Sequence, residues 1–416
     1  MDCHFSLRLR RGQANAGAES GAGNRKAQLA VTRAFEAIGE TAKRLPQQTP
    51  AVSRVYRALG RVFPTRRPPG QPPRRAVIVL PCCIGDVVMA TAALAALRRA
   101  WPAARIDWAV GTWSRPAVEG HPLLDGVLDA GPQANPARSP AGLLRLARQL
   151  RAGRYDLALV LSRSPALGLA VWLAGIPVRA GLDSAGRGFA CNIRVPLDPL
   201  AARHEAEIYL DVVRALGVDV SGCRANAPAR AADRDAVQAV LAAHGLAGPY
   251  IVINPAGGHN PGMVMDSKRW PPQHFAALAD RLAARLRAGV VVLGGPDDAA
   301  LVAAVAARMR TPAVTLAGVL SFGQIAALAA GARVYVGNDT GVTHLAAAAG
   351  APTAVIFGPS DPARYAPFAP NAVALWRPAA LPPGGVASGP PPAWDWARDG
   401  VGVDEAEARI AAFLSA

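Results

Sequence analysis

Short apolar segments alternate with helix-forming segments along most of this 416-residue chain, and this alternation restricts the fold more than any other feature. One series starts at "AVIVL" (76–80) and a second at "PYIVINPAGG" (249–258). Apolar strands that alternate with amphipathic helices are typical of a parallel sheet covered on both faces. The sequence therefore predicts an α/β protein with two doubly wound domains in tandem and a cleft between them.

The domain boundaries are predicted from where this pattern starts and stops. Residues 1–74 are expected to form a basic extension, partly helical or disordered, that ends in the proline-rich linker "PTRRPPGQPPRR" (64–75). The first domain is predicted over 75–245 and the second over 246–377. Residues 378–416 are expected to form a Pro/Gly-rich loop and a terminal helix that packs back on the body.

The net charge of +16 is concentrated at the start of the chain. Residues 1–75 hold 15 Lys/Arg and 4 Asp/Glu, which accounts for +11, whereas the other 341 residues carry 30 basic and 25 acidic groups. Such a segment suits an anionic membrane surface or nucleic acid. A poorly ordered extension without a binding role is the alternative.

The sequence shows no sign of a membrane span or a secretory signal. Its longest apolar stretch, 165–178, is too short to cross a bilayer, and the first residues lack the apolar core of a signal peptide. The five cysteines have no metal-ligand spacing, and their odd number argues against a disulfide scaffold. We therefore expect a cytoplasmic protein with reduced thiols. The adjacent Cys82 and Cys83 are interpreted as packing residues, with redox chemistry as the alternative.

The richest polar motif is "VGNDTGVTHLAAAAGAPTAVIFG" (336–358), in which a strand leads into an alanine-rich helix. Free backbone N–H groups and the helix dipole at such a start favour an anion, and phosphate is the expected one. Thr340 and Gly341 are placed to donate to phosphate oxygens, and His344 lies one turn further on the same face. The alternative is that Asp339 or Thr340 only caps the helix and that His344 is a buried polar residue.

A second motif, "NPAGGHNPGMVMDSKRWP" (254–271), contains a Gly-Gly loop and Lys268. Only three lysines are present, and Lys26 and Lys43 lie in the extension, so Lys268 is the single lysine of the predicted body. An ammonium group is a compact point charge suited to a phosphate oxygen. An ordinary surface lysine is the alternative interpretation.

The third motif is "PCCIGDVVMATAAL" (81–94), at the first strand-to-helix turn. It has one glycine where a dinucleotide-binding fingerprint has three, so such a cofactor site is poorly supported. Asp86 stands at the helix start, where the dipole stabilises an ionised carboxylate that suits a general base. A simple helix cap is the alternative for Asp86.

Together these motifs resemble bacterial lipopolysaccharide heptosyltransferases, glycosyltransferase family 9. The stretch "VLPCCIGDVVMATAALAALRRAWPAARIDWAVG" resembles the opening of that family, and "INPAGG", "DSKRWPPQHFAALADRL", "VVLGGPDD" and "VGNDTGVTHLAAAAGAPTAVIFGPSDPARYAPF" resemble its second half. The resemblance covers roughly residues 75–375, in the family's order and spacing, and does not include 1–74.

This resemblance implies a GT-B fold, in which two Rossmann-like doubly wound domains face each other across a cleft. It also implies inverting, metal-independent transfer of a sugar, typically heptose from ADP-heptose, onto a lipopolysaccharide core-type acceptor. Asp86 would be the general base. The donor and phosphate site would comprise Gly257, Lys268, Asp339, Thr340, Gly341 and His344, and the acceptor site would comprise Arg163 and Arg187. No cofactor is implied apart from the nucleotide-sugar donor.

The partners expected from the resemblance are the nucleotide sugar and a lipid-linked saccharide acceptor. Residues 1–74 are expected to contact an anionic membrane surface, which would place a cytoplasmic protein peripherally on the inner membrane, and no specific nucleic acid is expected. Two alternative functions remain at this stage. One is a nucleotide-sugar epimerase or hydrolase of related architecture, and the other is a non-enzymatic protein that binds a sugar nucleotide.

Overall fold

The fold is described from a computed structural model of the chain. The structure describes residues 50–68, 70–198, 200–260, 263–379, 381 and 394–416. The chain divides between Val62 and Phe63 into two units. Most of the predicted extension and most of the predicted Pro/Gly-rich loop lie outside the described residues.

The described part of the first unit is one helix, α1 (Pro50–Val62). Its arginines, Arg54, Arg57 and Arg61, recur at three- and four-residue spacing, so they share one exposed face. Val52, Tyr56 and Leu59 recur on another face. Helix α1 is therefore basic on one side and apolar on the other. No helix in the described ranges is long and apolar enough to cross a membrane.

The second unit contains two parallel six-stranded sheets with the same strand order. The first sheet has the order β3-β2-β1-β4-β5-β6. Its strands are β1 (Arg75–Val79), β2 (Arg105–Val110), β3 (Gly126–Asp129), β4 (Leu157–Val160), β5 (Val178–Ser184) and β6 (Ile193–Leu197). Its helices are α2 (Ile84–Ala100), α3 (Pro140–Ala152), α4 (Pro165–Leu173) and α5 (Glu205–Arg214).

The second sheet has the order β11-β10-β7-β12-β13-β14. Its strands are β7 (Tyr250–Asn254), β10 (Gly289–Gly294), β11 (Ala313–Ala317), β12 (Tyr335–Asn338), β13 (Thr353–Ile356) and β14 (Ala372–Leu375). A short antiparallel pair, β8 (His259–Asn260) and β9 (Met263–Val264), follows β7. The remaining helices are α6 (Ala231–Ala243), α7 (Pro272–Leu286), α8 (Ala299–Ala306), α9 (Phe322–Ala330), α10 (Gly341–Ala348), α11 (Pro362–Tyr365), α12 (Trp396–Asp399) and α13 (Val403–Ser415).

Burial explains why the strands are short apolar runs. In β1, Val77, Ile78 and Val79 are fully buried, because helices cover both faces of the sheet. Helix α2 is buried on nearly all sides and packs against both α5 and α10. The C-terminal helix α13 packs on α7 and β14, with Ile410 fully buried.

The strand order of each sheet reverses direction at one place, between β1 and β4 in the first sheet and between β7 and β12 in the second. Ligands of open α/β sheets bind outside the carboxyl ends of the strands at such a switch point. The loops that follow these four strands are therefore where a bound molecule is expected.

The structure corrects the expectation of reduced thiols. Cys82 and Cys83, between β1 and α2, are joined by a disulfide, whereas Cys191 and Cys223 are buried and unpaired. Both cysteines are half-buried, so packing and redox chemistry both remain interpretations of the adjacent pair. An odd number of cysteines argues against a scaffold of disulfides between distant segments, but it does not exclude a disulfide between two neighbouring cysteines.

Candidate active site

Most of the predicted site residues follow the four switch-point strands. Asp86 comes after β1 and Arg163 after β4, while Gly257 comes after β7 and Asp339 after β12. Because the carboxyl ends of parallel strands share one edge of a sheet, each pair of loops lies side by side.

Asp86 is the third residue of α2, which begins two residues earlier than the sequence suggested. Its Oδ1 atom accepts a hydrogen bond from the Tyr209 hydroxyl at 2.7 Å, and its Oδ2 atom accepts one from the backbone N–H of Cys83 at 3.4 Å. The carboxylate is half-buried. Asp86 therefore has the capping contact and is also tied to a buried phenol.

A second acidic group lies beside Asp86. Glu205 is 3% exposed, and its two carboxylate oxygens accept from Arg163 Nη2 at 2.9 and 2.8 Å. Burial raises the pKa of Glu205, the Arg163 guanidinium opposes that rise, and the nearby Asp86 adds to it. Burial also raises the pKa of the Tyr209 phenol well above its usual range, with Asp86 and Glu205 contributing. Arg163 thus neutralises an acidic pocket next to Asp86.

The donor-side motif is organised around a buried carboxylate. Asp339 is 5% exposed, and its Oδ2 atom accepts from Lys268 Nζ at 2.5 Å and from Ser360 Oγ at 2.7 Å. His344 Nε2 lies 3.6 Å from Oδ1 of the same group. Burial alone would raise the pKa of Asp339, but Lys268 and His344 outweigh it and hold that pKa well below the usual range. Lys268 has only 12% of its side chain exposed, so it is not an ordinary surface lysine.

The start of α10 has no side-chain cap. Thr340 occupies the cap position, but its side chain makes no capping hydrogen bond, and Asp339 is engaged by Lys268 and Ser360. His344 is 5% exposed, and its Nδ1 atom is buried without a hydrogen-bond partner among the described residues. The capping alternative for this motif is therefore not supported. The uncapped N-terminus leaves backbone N–H donors for an anion.

Asn338 ties the donor-side loops together. Its side chain donates to the carbonyl oxygens of Pro255 at 2.8 Å and Ala256 at 3.1 Å, and it accepts from the backbone N–H of Trp270 at 2.9 Å. Gly257, the next residue of that loop, has a φ of 135°, and a Cβ atom there would lie 3.2 Å from Thr340 Cβ. The loop after β7 is therefore held against the start of α10.

Two glycines lie where a helix of the first sheet contacts a helix of the second sheet. A Cβ atom on Gly341 would lie 2.5 Å from Ile84 Cγ2, and one on Gly85 would lie 3.2 Å from His344 Cδ2. The N-terminus of α10 and the N-terminus of α2 thus face each other in direct contact. As a result, Asp86 lies one residue from the point at which the donor-side motif touches the first sheet.

Arg187 is placed differently from the other predicted acceptor residue. It lies in the turn between β5 and β6, where its backbone N–H donates to the Ser184 carbonyl at 3.2 Å. Arg163, in contrast, follows β4 and pairs with Glu205.

Comparison with known protein families decides the identity of the fold and the enzyme class. The model of glycosyltransferase family 9 (heptosyltransferase) matches residues 143–382, which is more than half of the chain. The chain belongs to this family. The match contains every predicted donor-side residue together with Arg163 and Arg187, whereas Asp86 precedes it.

Named relatives agree with this assignment. The chain is 28% identical over 298 residues to lipopolysaccharide heptosyltransferase 3 of Escherichia coli, covering 70% of this chain and 86% of the relative. It is 27% identical over 293 residues to lipopolysaccharide heptosyltransferase 2 of E. coli K12, covering 69% of this chain and 84% of the relative.

Solved structures share the fold. The glycosyl transferase family 9 structure from Veillonella parvula superposes with a TM-score of 0.64 at 27% identity, covering 73% of this chain and 85% of that one. E. coli ADP-heptose lipopolysaccharide heptosyltransferase II superposes with a TM-score of 0.63 at 24% identity, covering 82% and 98%. The GT-B fold is therefore confirmed, and so is the glycosyltransferase class, in preference to an epimerase, a hydrolase or a non-enzymatic binding protein.

Three residues of this family 9 site escaped sequence reasoning, namely Tyr209, Glu205 and Ser360. Tyr209 and Glu205 come from a helical, charged stretch without a motif, so no local signal identifies them. Ser360 follows β13, the strand beside β12. Its position at the carboxyl end of a neighbouring strand is a signal that the switch-point rule could have used.

Proposed function

We propose that this enzyme transfers heptose from ADP-heptose to a lipopolysaccharide core-type acceptor, with inversion at the anomeric carbon and without a metal ion. One observation carries the proposal: the uncapped N-terminus of α10, with Lys268 and His344 beside it, contacts the N-terminus of α2 that holds Asp86. The relatives named above are lipopolysaccharide heptosyltransferases, which supplies the sugar and the acceptor class.

In this proposal the diphosphate of the donor binds at the start of α10. The backbone N–H groups of Thr340 and Gly341 and the helix dipole favour its negative charge. His344 lies beside the same helix start, with its Nε2 atom 3.6 Å from Asp339 Oδ1. Lys268 contributes positive charge next to the same helix start, where its ammonium group also neutralises Asp339.

The transfer itself is a single displacement. Asp86 accepts the proton of the acceptor hydroxyl, and the acceptor oxygen forms a bond to the anomeric carbon on the face opposite the diphosphate. The bond from that carbon to the diphosphate oxygen breaks, and its electron pair leaves with ADP. One displacement of this kind inverts the anomeric configuration. The developing charge on the leaving group is stabilised by Lys268 and the amides of α10, so the protein supplies the cations that a metal would otherwise provide.

For the acceptor, Arg163 and Arg187 are proposed to face acidic sugar or phosphate groups. The charge of Arg163 is already balanced by Glu205. Arg163 is therefore proposed to orient the acceptor by hydrogen bonding rather than to attract it with an unpaired positive charge. Arg187 keeps its proposed role from the turn between β5 and β6.

The basic segment at the start of the chain is proposed to contact an anionic membrane surface. From 41 to 85 the chain has nine Lys/Arg and no Asp/Glu, and α1 has a basic face beside an apolar one. Basic residues near an anionic leaflet contribute about 1 kcal/mol each. Sedimentation with vesicles should show binding to phosphatidylglycerol-containing but not purely zwitterionic lipid. Replacing Arg54, Arg57 and Arg61 with Gln should weaken binding to the phosphatidylglycerol-containing vesicles. Equal binding to the anionic and the zwitterionic vesicles would contradict the proposal.

The donor is tested by thermal unfolding of the full chain with ADP-heptose, UDP-glucose or GDP-mannose. A ligand at 100 times its Kd adds about 2.7 kcal/mol of stability to a protein that binds it only when folded. We expect ADP-heptose to raise the Tm and the other two nucleotide sugars to leave it unchanged. We also expect transfer of heptose to a heptose-deficient lipopolysaccharide, with NMR showing that the anomeric configuration of the new linkage is inverted. A rise with only a UDP- or GDP-sugar, or a retained anomeric configuration, would overturn the proposal.

A further inference from the structure

We infer that Tyr209 is the positioning residue for Asp86, because its hydroxyl holds one carboxylate oxygen and so presents the other to the acceptor. This inference rests on the proposed function, in which Asp86 is the general base.

The two oxygens of Asp86 differ in their hydrogen bonds. Oδ1 accepts from the Tyr209 hydroxyl at 2.7 Å, a length typical of a strong hydrogen bond to a carboxylate. Oδ2 has a contact of 3.4 Å with the Cys83 N–H, which is at the long limit for such a bond. Oδ2 is therefore the oxygen that retains capacity for a further proton.

Tyr209 is itself held firmly. It is 2% exposed and lies one turn after Glu205 on α5, so both side chains project from the same face towards Asp86. Arg163 binds both oxygens of Glu205, and His204 caps α5 by accepting from the Ala206 N–H at 3.2 Å. A buried phenol needs a hydrogen-bond partner, and the partner it has is Asp86.

Tyr209 is one of several polar groups that face Asp86, and its hydroxyl donates directly to the carboxylate. The other titratable or charged groups around Asp86 come from three helices and one loop. They are Glu205 on α5, Arg163 after β4, His344 on α10, and Arg364 and Tyr365 on α11.

The test is the split between kcat and KM for Tyr209→Phe, measured with ADP-heptose and heptose-deficient lipopolysaccharide. We expect kcat to fall about tenfold or more, with the KM for ADP-heptose unchanged. A purely structural defect would disturb donor binding as well as the chemical step, so it would also raise the KM for ADP-heptose.

A matched control is available in the same domain. Tyr155 is buried and donates to Asp107 Oδ2, also at 2.7 Å, near the amino-terminal edge of the strands. Tyr155→Phe removes the same kind of bond from the same domain but should leave kcat unchanged.

Three outcomes would overturn the inference. They are an unchanged kcat in Tyr209→Phe, an equal fall of kcat in Tyr155→Phe, and a rise of the KM for ADP-heptose that accompanies the fall of kcat in Tyr209→Phe. Failure of the proposed function is a separate result, because it appears as full activity in Asp86→Asn whatever Tyr209→Phe does.

Discussion

Replacing Lys268 with Met removes the cation that neutralises a buried carboxylate. Asp339 is 5% exposed and accepts from Lys268 Nζ at 2.5 Å, so the change leaves a desolvated negative charge with only Ser360 and His344 beside it. Breaking a buried pair from one side costs about 3–5 kcal/mol. We therefore expect the free energy of unfolding in urea at pH 7.5 to fall by about that amount, together with a weaker affinity for ADP.

The pH dependence of this loss supplies a second readout. In the wild type the pKa of Asp339 is lowered, so its contribution to stability is present above the unfolded value of about 3.9 and is lost as the pH falls further. Without Lys268, burial favours the protonated carboxyl, so the variant should regain stability as the pH falls from 7.5 towards 4.

The control for this experiment is an exposed ion pair. Arg281 Nη1 lies 2.5 Å from Asp404 Oδ1, and the Asp404 side chain is 91% exposed. Arg281→Met should leave the free energy of unfolding almost unchanged, because solvent screens such pairs. If Lys268→Met cost no more than Arg281→Met, or if its stability kept the wild-type dependence on pH, the account of a desolvated Asp339 would be refuted.

Three further outcomes follow from the site. Gly341→Ala places a Cβ atom 2.5 Å from Ile84 Cγ2, so it should separate the starts of α2 and α10 and lower kcat/KM by about tenfold or more. Gly248→Ala is the control and should have no effect, because no atom lies within 4 Å of the added Cβ atom. Similar values of kcat/KM for the two variants would contradict this prediction. His344→Ala should raise the Kd for ADP in calorimetry, because it removes the imidazole that lies beside Asp339 at the start of α10, and an unchanged Kd would exclude a role for His344 in donor binding. Transfer rates with and without EDTA should be equal, because Lys268 and the α10 dipole carry the charge of the leaving group; a loss restored by Mg²⁺ would show that a metal is needed.

The sequence was sufficient to predict the repeated strand–helix pattern and the positions of the motifs, because parallel strands buried on both faces are short apolar runs. As expected, strand β12 leads into the GNDTG motif and helix α10 begins at its last residue. Helix starts were less well defined: α2 begins at Ile84 rather than near Asp86, since the cap position is set by backbone geometry at Cys83.

Contacts between distant segments were beyond sequence reasoning. Asp86 and Tyr209 are 123 residues apart, and Asp339 and Ser360 are 21 apart, so no local period relates them. The pairing of Arg163 with Glu205 likewise depends on how α5 packs on α2, β5 and β6. The contact of Gly341 with Ile84 depends on how the two sheets meet, which no single motif encodes.

The most direct test of the account is heptose transfer by Asp86→Asn, measured in a single turnover alongside its affinity for ADP. The substitution keeps the size of the side chain and removes its capacity to accept a proton. General base catalysis contributes about 10²–10⁴-fold, so we predict a rate loss of that order with the Kd for ADP unchanged. A variant that transfers heptose within a few-fold of the wild-type rate would contradict the assignment of Asp86 as the base.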